Sequence, residues 1–589
     1  MSPARRENPH AAKAGSSGLK DFLDQMRKKR MVEILAGFVG GGWLVYEIVH
    51  WVLVVHYHLP EKLLDITIIT LVGTLLGTLT WRWFAGRERP GKLKPELILI
   101  PLIFLITIVL DINLLLRLKE PAQEPVSTPI WKNSLAVLPF VDLSPQKDQE
   151  YFCDGMTEEI IGQLSRIREL KVISRTSVVR YRNTQKSIKE IAGELGVANI
   201  LEGSIRREGD MIRVSAQLIN AENGFHLWSD KYDRRLSGVF AIQDEISQAI
   251  ATALKLKLSL ESVEALRAGR PDNMKLYEAY LQGMYFINSR YVVTYREEDF
   301  IKALEMFEAA REIDPGYAQT YLGIAWAYWH KYSLTVRQED LDQVVSYGEK
   351  AYQLDPEYAG SNLARGFNHF LRGEYDQAFE KYRIAFEKSP NNHMICTAIG
   401  YSLSEIGLFE TAIPFFLKSI ELAPFYIFSR TILATCYRGL GEFKKSELYL
   451  REALNLNPQN PFCLGHLARH MIQAGRYEEA EKLLAELQRV EPDFWVLPEY
   501  KAQLYAARGE KEKALALSTG STVYSLLGMK DEAIAAMQKE MSEGTFYPYL
   551  RLINDPCLKM LRGDPRFEQM VSRAKQIHEE LLKKYGNYF

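Results

Sequence analysis

Cysteine is scarce in this 589-residue chain: Cys153, Cys396, Cys436, Cys463 and Cys557 are odd in number, far apart and without any CxxC pair. That spacing excludes the usual zinc-ligand pattern and gives no disulfide framework. Net charge is lacking too, with 73 Lys and Arg against 74 Asp and Glu. No basic face of the size a nucleic-acid binder needs can be laid out, so no nucleic-acid partner is expected. Phosphate-cradling glycine loops, HExxH, GxSxG and kinase strings do not occur, and no stretch is recognisable as the two-metal carboxylate domain of a nucleotidyl cyclase. These absences predict a protein that is not an enzyme and has no cofactor or resident metal.

Long apolar runs, by contrast, are present. Residues 31–55, 64–83 and 97–116 are each near the roughly 20 residues that cross a bilayer as a helix. They predict three transmembrane α-helices within 31–117. A polar segment precedes the first run and no small-x-small cleavage pattern follows it, so it reads as an anchor rather than a signal peptide. Basic residues crowd the tail 1–30 (Arg5, Arg6, Lys13, Lys20, Arg27 to Arg30) and the second loop (Arg82, Arg87, Arg89, Lys92, Lys94), whereas the first loop has only Lys62. Short basic loops stay cytoplasmic, which places the tail inside a bacterial inner membrane and everything after the third span in the periplasm.

Within the spans, Glu47, His50 and Asp111 stand at similar depth. Three readings stay open for them. They are hydrated at the outer interface beside Tyr46, Trp51 and Tyr57, or they form a polar cluster that couples the spans. In the third, His50, His56 and His58 hold heme or metal, which would make the chain a cofactor-dependent membrane sensor or enzyme.

A Pro-rich linker, 118–132, leads to a segment of mixed pattern at 133–262. SLAVLPF reads as a buried strand, Met156, Ile160, Ile161, Leu164 and Ile167 recur at helical spacing, and SIKEIAGELG stops at Gly196. Ile212, Val214, Ala216 and Leu218 alternate between the turns at Gly209 and Gly224, and Phe240 to Leu258 closes the unit as a helix. The predicted order is β-α-β-α-β-β-β-α, a compact α/β domain. Between strand and helix lies LPFVDLSPQKDQEYFCDGMTEEI, rich in carboxylates. Asp154 is expected to cap the helix with Glu158 and Glu159 in its first turn, where negative charge offsets the dipole. DLSPQKDQE lacks the alternation of a calcium loop, and the alternatives are a different metal site or a nucleophilic Cys153. The strings SLAVLPF, GMTEEI, ELGVANILEGSIRR, VSAQLINAENGFHLWSDKYDR and IQDEISQAI together resemble the FlgO-like domain, related to the TolB amino-terminal domain, of bacterial membrane proteins. The resemblance implies an envelope module that contacts other macromolecules. Such domains are sometimes joined to cyclases, and the catalytic part of a cyclase is not recognised in this sequence.

From about residue 274 the pattern is all-helical and periodic. Gly373, Gly407, Gly441, Gly475 and Gly509 lie 34 apart, as do Pro356, Pro390, Pro424, Pro458 and Pro492, and the small residues Ala378, Ala412, Ser446, Ala480 and Ala514. With glycine at about 7% of residues, four further hits at one period arise by chance roughly once in 40,000 trials. Small residues at the helix crossing, glycine in the turn and proline after the second helix resemble the tetratricopeptide repeat, so 270–561 is expected to be an all-α solenoid. Two earlier repeats, 276–315 and 316–356, carry insertions expected as loops, and 562–589 reads as a charged helical cap. The resemblance assigns Phe367, Phe370, Tyr401, Glu405, Arg438, Arg469, Gln473 and Gln503 to the concave face, a mixture suited to a polypeptide partner. Taken singly, each of them reads better as packing or solvated surface.

The expected whole is multidomain: three transmembrane helices, a compact α/β domain and a tetratricopeptide solenoid. Its expected work is as an extracytoplasmic interaction scaffold or sensor that binds an envelope protein or peptide, with membrane lipid around its three spans. With inverted topology it would instead be a cytoplasmic signalling regulator.

Overall fold

The computed structural model describes residues 26, 28, 30–51, 62–84, 96–118, 131–256, 271, 273–291 and 296–589. Most of the basic tail, the linker up to residue 130, the loops between the apolar runs with His56 and His58, and residues 257–270 lie outside the described residues. Two compact units divide the chain, Met1–Ser127 and Thr128–Phe589.

Among the described residues the first unit contains the helices α1 (Met31–Val49), α2 (Lys62–Phe84) and α3 (Glu96–Leu118). Large apolar side chains such as Trp43, Leu44, Val72, Leu105 and Val109 are exposed on them. Gly73 lets α2 meet α3, since a Cβ there would collide with the Thr107 side chain, the small-residue contact by which apolar helices approach. The expectation of three spans is corrected here. Among the described residues one helical stretch, Ile66–Trp83, is long and apolar enough to cross a membrane, and Leu99–Ile112 is a shorter apolar stretch. α1 carries Glu33 and Glu47 within its 19 residues and α3 carries Asp111, ionisable groups that are costly inside a bilayer.

The second unit begins with the mixed sheet. Its elements are β1 (Trp131–Val137), β2 (Val141–Asp142), α4 (Glu150–Leu164), β3 (Lys171–Val172), α5 (Arg175–Val178), α6 (Ile188–Leu195), β4 (Val197–Glu208), β5 (Met211–Asn220), β6 (His226–Arg235) and α7 (Val239–Ala253). The strand order is β3-β1-β4-β5-β6, with β2 paired to β4. β1 runs parallel to both β3 and β4, and β4, β5 and β6 are antiparallel. The alternation read in β5 buries Ile212, Val214, Ala216 and Leu218. They join Leu135, Val137, Ile160, Leu164, Ile246 and Ile250 in one core. Ser187 and Glu190 form a reciprocal capping box at the start of α6, and Gly196 closes that helix at φ 65°.

At the carboxylate-rich join, Asp154 is not a cap. The Asp142 carboxylate accepts the backbone N–H groups of Ser144 and Gln149, so the loop closes early and α4 starts four residues before Asp154. Asp154 is then buried in mid-helix, where it pairs with Arg175 at 2.9 Å and with Arg182, and accepts a bond from Ser289. A buried carboxylate survives in such a place only with compensating cations.

The remaining helices pack as successive pairs: α8 (Met274–Tyr285) with α9 (Glu297–Ile313), α10 (Ala318–Thr335) with α11 (Gln338–Leu354), α12 (Ala359–Leu371) with α13 (Tyr375–Lys388), and α14 (His393–Glu405) with α15 (Phe409–Leu422). The pattern continues with α16 (Ile427–Gly439) and α17 (Phe443–Leu456), α18 (Pro461–Gln473) and α19 (Tyr477–Val490), α20 (Leu497–Ala507) and α21 (Lys511–Leu517), and α22 (Ser521–Leu526) with α23 (Lys530–Ser542). The five periodic glycines all adopt positive φ, from 72° to 80°, which is why only glycine closes the turn without strain. The five periodic small residues are fully buried at the helix crossings. The insertions expected as loops in the early repeats appear in the described residues as helix instead: α10 and α11 reach 18 and 17 residues, against 13 and 14 in α12 and α13, and a π-helical segment at Phe286–Tyr291 continues α8.

Sheet domain and solenoid share a core. Tyr277 and Leu281 of α8 belong to the same buried cluster as the sheet, and Leu281 fills the space a Cβ on Gly155 would need. Further along, the Asn391 amide donates to the carbonyls of Ile167 and Leu170, both at 2.9 Å, and the N–H of Ser174 donates to the Leu422 carbonyl at 2.8 Å. These contacts fall at the turns between repeats, so the α/β layer covers one rim of the solenoid.

Candidate functional site

The 34-residue period stacks side chains at equivalent helix positions. Tyr401, Thr435, Arg469 and Gln503 form one such series, and Glu405, Gly439 and Gln473 another. α14, α16 and α18 bring Tyr401, Glu405, Arg438, Arg469 and Gln473 to one cavity of about 360 Å³. Phe462, Phe494, Trp495 and Tyr500 supply its aromatic wall. Trp495 is exposed at its edge.

The opposite wall comes from the far end of the chain. After α23 the polypeptide turns back through Phe546, Pro548, α24 (Tyr549–Asn554) and a 3-10 segment at Pro556–Leu561. Pro548 lies against Gly407, where a Cβ would come within 2.7 Å of it. The Asn554 amide donates to the Gly439 carbonyl at 2.9 Å. The Asp555 carboxylate accepts from Gln473 at 3.0 Å and faces Arg469 at 3.7 Å. The last helix, α25 (Pro565–Tyr585), carries the chain on to α13. There Lys584 and Tyr585 donate to Asp376 at 2.7 Å each, and Phe589 packs on Phe379 and Phe415. These contacts follow the glycine turns, so the returning segment covers the second rim.

Positive charge dominates the cavity. Arg438, Arg469, Arg551 and His466 line it against Asp555 and the exposed Glu405. Arg438 is 7% exposed and its Nη1 has no hydrogen-bond partner. Its Nη2 donates to the Thr435 hydroxyl at 3.5 Å. Burial, together with the guanidinium groups of Arg469 and Arg551, pushes its pKa down to about 9. Arg469 and burial likewise depress Arg551. Burial and the same arginines hold His466 far below the ordinary histidine value. Burial alone would raise the Asp555 carboxyl, but Arg469 and Arg551 outweigh it and keep Asp555 ionised.

The other expected groove residues lie elsewhere. Phe367 is half-buried and meets Trp329 edge-on at 5.1 Å between ring centroids. Phe370 packs on Tyr375 within its own repeat. Gln503 is buried and donates to Glu499 at 2.8 Å. In the first unit, Asp111 accepts a hydrogen bond from Thr70 at 2.9 Å, His50 stacks on Tyr46 of its own helix, and Glu47 is exposed. Among the described residues no contact joins those three ionisable groups. Cys153 is fully buried beside Asp142 and Asp154, and burial with those carboxylates pushes its thiol far up, which removes it as a nucleophile. All five cysteines are buried and unpaired. Among the described residues no group of three or more His, Cys, Asp or Glu is placed to hold a metal ion. Arg551, Asp555 and His466 were not foreseen from the sequence. Arg551 and Asp555 lie past the last periodic glycine, and the one available signal was three charges, Arg551, Asp555 and Lys559, inside the apolar stretch YPYLRLINDPCLKML.

Comparison with known proteins bears on each part. Tetratricopeptide repeat family models match residues 437–506 and 395–426, and the second domain of HilA/YgeH-like transcriptional regulators matches 131–249. The repeats and their solenoid are thus tetratricopeptide repeats. A protein of Rhizobium meliloti named "Putative adenylate cyclase 3" is 35% identical over 212 residues, 36% of this chain and 35% of that protein. The TPR repeat-containing protein YpiA of Bacillus subtilis is 26% identical over 122 residues, 21% of this chain and 29% of that protein. The chain therefore spans about a third of the length of these curated relatives. Among solved structures, Pseudomonas aeruginosa pilF covers 39% of this chain and 98% of its own at 18% identity with a TM-score of 0.29. YrrB, described as a TPR protein with an unusual peptide-binding site, covers 33% of this chain and 97% of its own at 18% identity with a TM-score of 0.24. The expectation of a protein that is not an enzyme is corrected by the Rhizobium relative, whose name is that of one. The absence of recognised catalytic strings does not establish the absence of an activity.

Proposed function

We propose that this chain is a membrane-anchored, extracytoplasmic scaffold whose tetratricopeptide solenoid binds an envelope polypeptide. The observation that carries the reading is the solenoid itself, because helical repeats of this kind offer extended grooves for protein partners. With one rim held by the α/β domain and the other by the returning C-terminal segment, the half-buried aromatic pair Trp329 and Phe367 is the part of the face assigned to the partner. The apolar helices of the first unit and the basic residues that flank them support an anchor with the solenoid outside. To test the binding reading, a photo-crosslinking residue is placed at Phe367 in the full chain in native membranes, with a second at exposed Glu357 as control. A discrete adduct from position 367, lost in Trp329→Ala, supports the groove. Identical adducts from both positions would reject it.

A second reading has its own observation. The 35% identity to a protein named as an adenylate cyclase supports an enzymatic role in, or tied to, cyclic nucleotide formation. Cyclic AMP made from ATP and Mg²⁺ by the purified full chain would support it, and its absence with the captured partner present would count against it.

A further inference from the structure

The cavity between α14, α16, α18 and the returning segment holds more positive charge than its own carboxylates answer. Three guanidinium groups converge there, and arginine does not shed its proton in proteins. The carboxylate beside them, Asp555, is already engaged by Gln473 and Arg469. Glu405 is exposed at the edge. Arg438 is more than nine-tenths buried, yet Nη1 of Arg438 and Nε of Arg469 have no partner. The Gln473 Oε1 and His466 Nδ1 atoms in the same cavity are also unpartnered. Buried charge of one sign is destabilising unless something compensates it.

We infer that this cavity binds a small organic anion, with a carboxylate or phosphate held by Arg438, Arg469 and Arg551 and an apolar body against Phe462, Phe494 and Trp495. The volume of about 360 Å³ lies at the lower end of small-molecule sites. The wall formed by Phe546, Pro548 and Asp555 closes the space to a through-running polypeptide, which favours a small molecule over a peptide. Bidentate guanidinium recognition suits either oxyanion. The site is separate from the proposed polypeptide contact at Trp329 and Phe367, and the two stand or fall independently.

Because part of the returning segment forms the wall, a bound anion would also tie that segment to the groove through Arg551. The test uses the purified full chain in thermal unfolding and calorimetry, with AMP, benzoate, inorganic phosphate, neutral adenosine and a hexaglutamate peptide as probes at matched ionic strength. The expected result is a saturable rise in Tm with AMP or benzoate and none with adenosine. Affinity should fall about tenfold or more in Arg438→Met and in Arg469→Met, while Lys511→Met, on the exposed surface, leaves it unchanged. Arg438→Met should also raise the Tm of the anion-free protein, because it removes like-charge repulsion, a gain that a purely structural arginine would not give. No shift with any small anion beyond that of sodium chloride overturns the proposal, as does a shift from hexaglutamate alone. A Tm loss in Arg438→Met together with an unchanged response to AMP and benzoate overturns it equally.

Discussion

At the residue scale, burial decides which charges matter. Asp154 and Arg175 are 4% and 8% exposed and face each other at 2.9 Å, where α4 meets the first repeat. Removing the carboxylate leaves the buried Arg175 without its close partner, so Asp154→Ala should cost about 3–5 kcal/mol in chemical denaturation. The exposed pair Arg213–Asp233 lies at 2.6 Å, yet Arg213→Ala should cost little, since surface pairs contribute about 0–1 kcal/mol. Equal losses from the two substitutions would contradict this ranking. Histidine gives a second residue-scale expectation. Burial holds the pKa of His393 and His470 down to about 4, so both stay neutral in the fold while the unfolded chain takes up protons below about 6.5. Their contribution is complete above that pH and is lost as the pH falls toward 4. The Tm should therefore drop between pH 6.5 and 4.5, and replacing both residues by Gln should flatten that slope.

At the element scale, the turn glycines separate two effects. Gly475 and Gly407 share positive φ, but only Gly407 has a neighbour that an added Cβ would strike, Pro548 of the returning segment. Gly475→Ala should cost about 1 kcal/mol for the left-handed backbone, and Gly407→Ala measurably more because it also pushes that segment away. Equal losses would mean that the segment does not rest on the turn. Much of this scale was legible in the sequence, because a period of 34 residues fixes glycine, proline and small residues together, and alternation in β5 fixes a face. The start of α4 was not legible. A capping aspartate and a buried ion-pair aspartate look the same until Arg175 and Arg182 are brought beside it. The insertions in the early repeats misled for a related reason: extra residues can lengthen helices as readily as loops, and helical periodicity continues through both.

At the scale of the whole molecule, the solenoid is clasped on both rims, by the sheet domain at the turns between repeats and by residues 546–589 at the glycine turns. The first contact rests on a core shared with the sheet, whereas the second buries Tyr585 in the solenoid core and ends in exposed pairs such as Lys584 with Asp376. Native-state hydrogen exchange should accordingly show the end of α25 opening before β4 and β5. Five of the eight groove residues expected from the repeat register meet at one cavity, since register is carried by local sequence. Their partners Arg551 and Asp555 escaped notice because chain reversal leaves no periodic trace. The adenylate cyclase relative marks a further boundary, because shared sequence over a third of that protein's length carries its name no further than a proposal.

The central claim is that the solenoid presents a polypeptide-binding face outside the membrane, and site-specific crosslinking from residue 367 in intact spheroplasts tests it most directly. A membrane-impermeant crosslinker attached to Phe367→Cys should give a discrete polypeptide adduct before lysis. An adduct that forms only after lysis, or that persists unchanged in Trp329→Ala, would contradict the account.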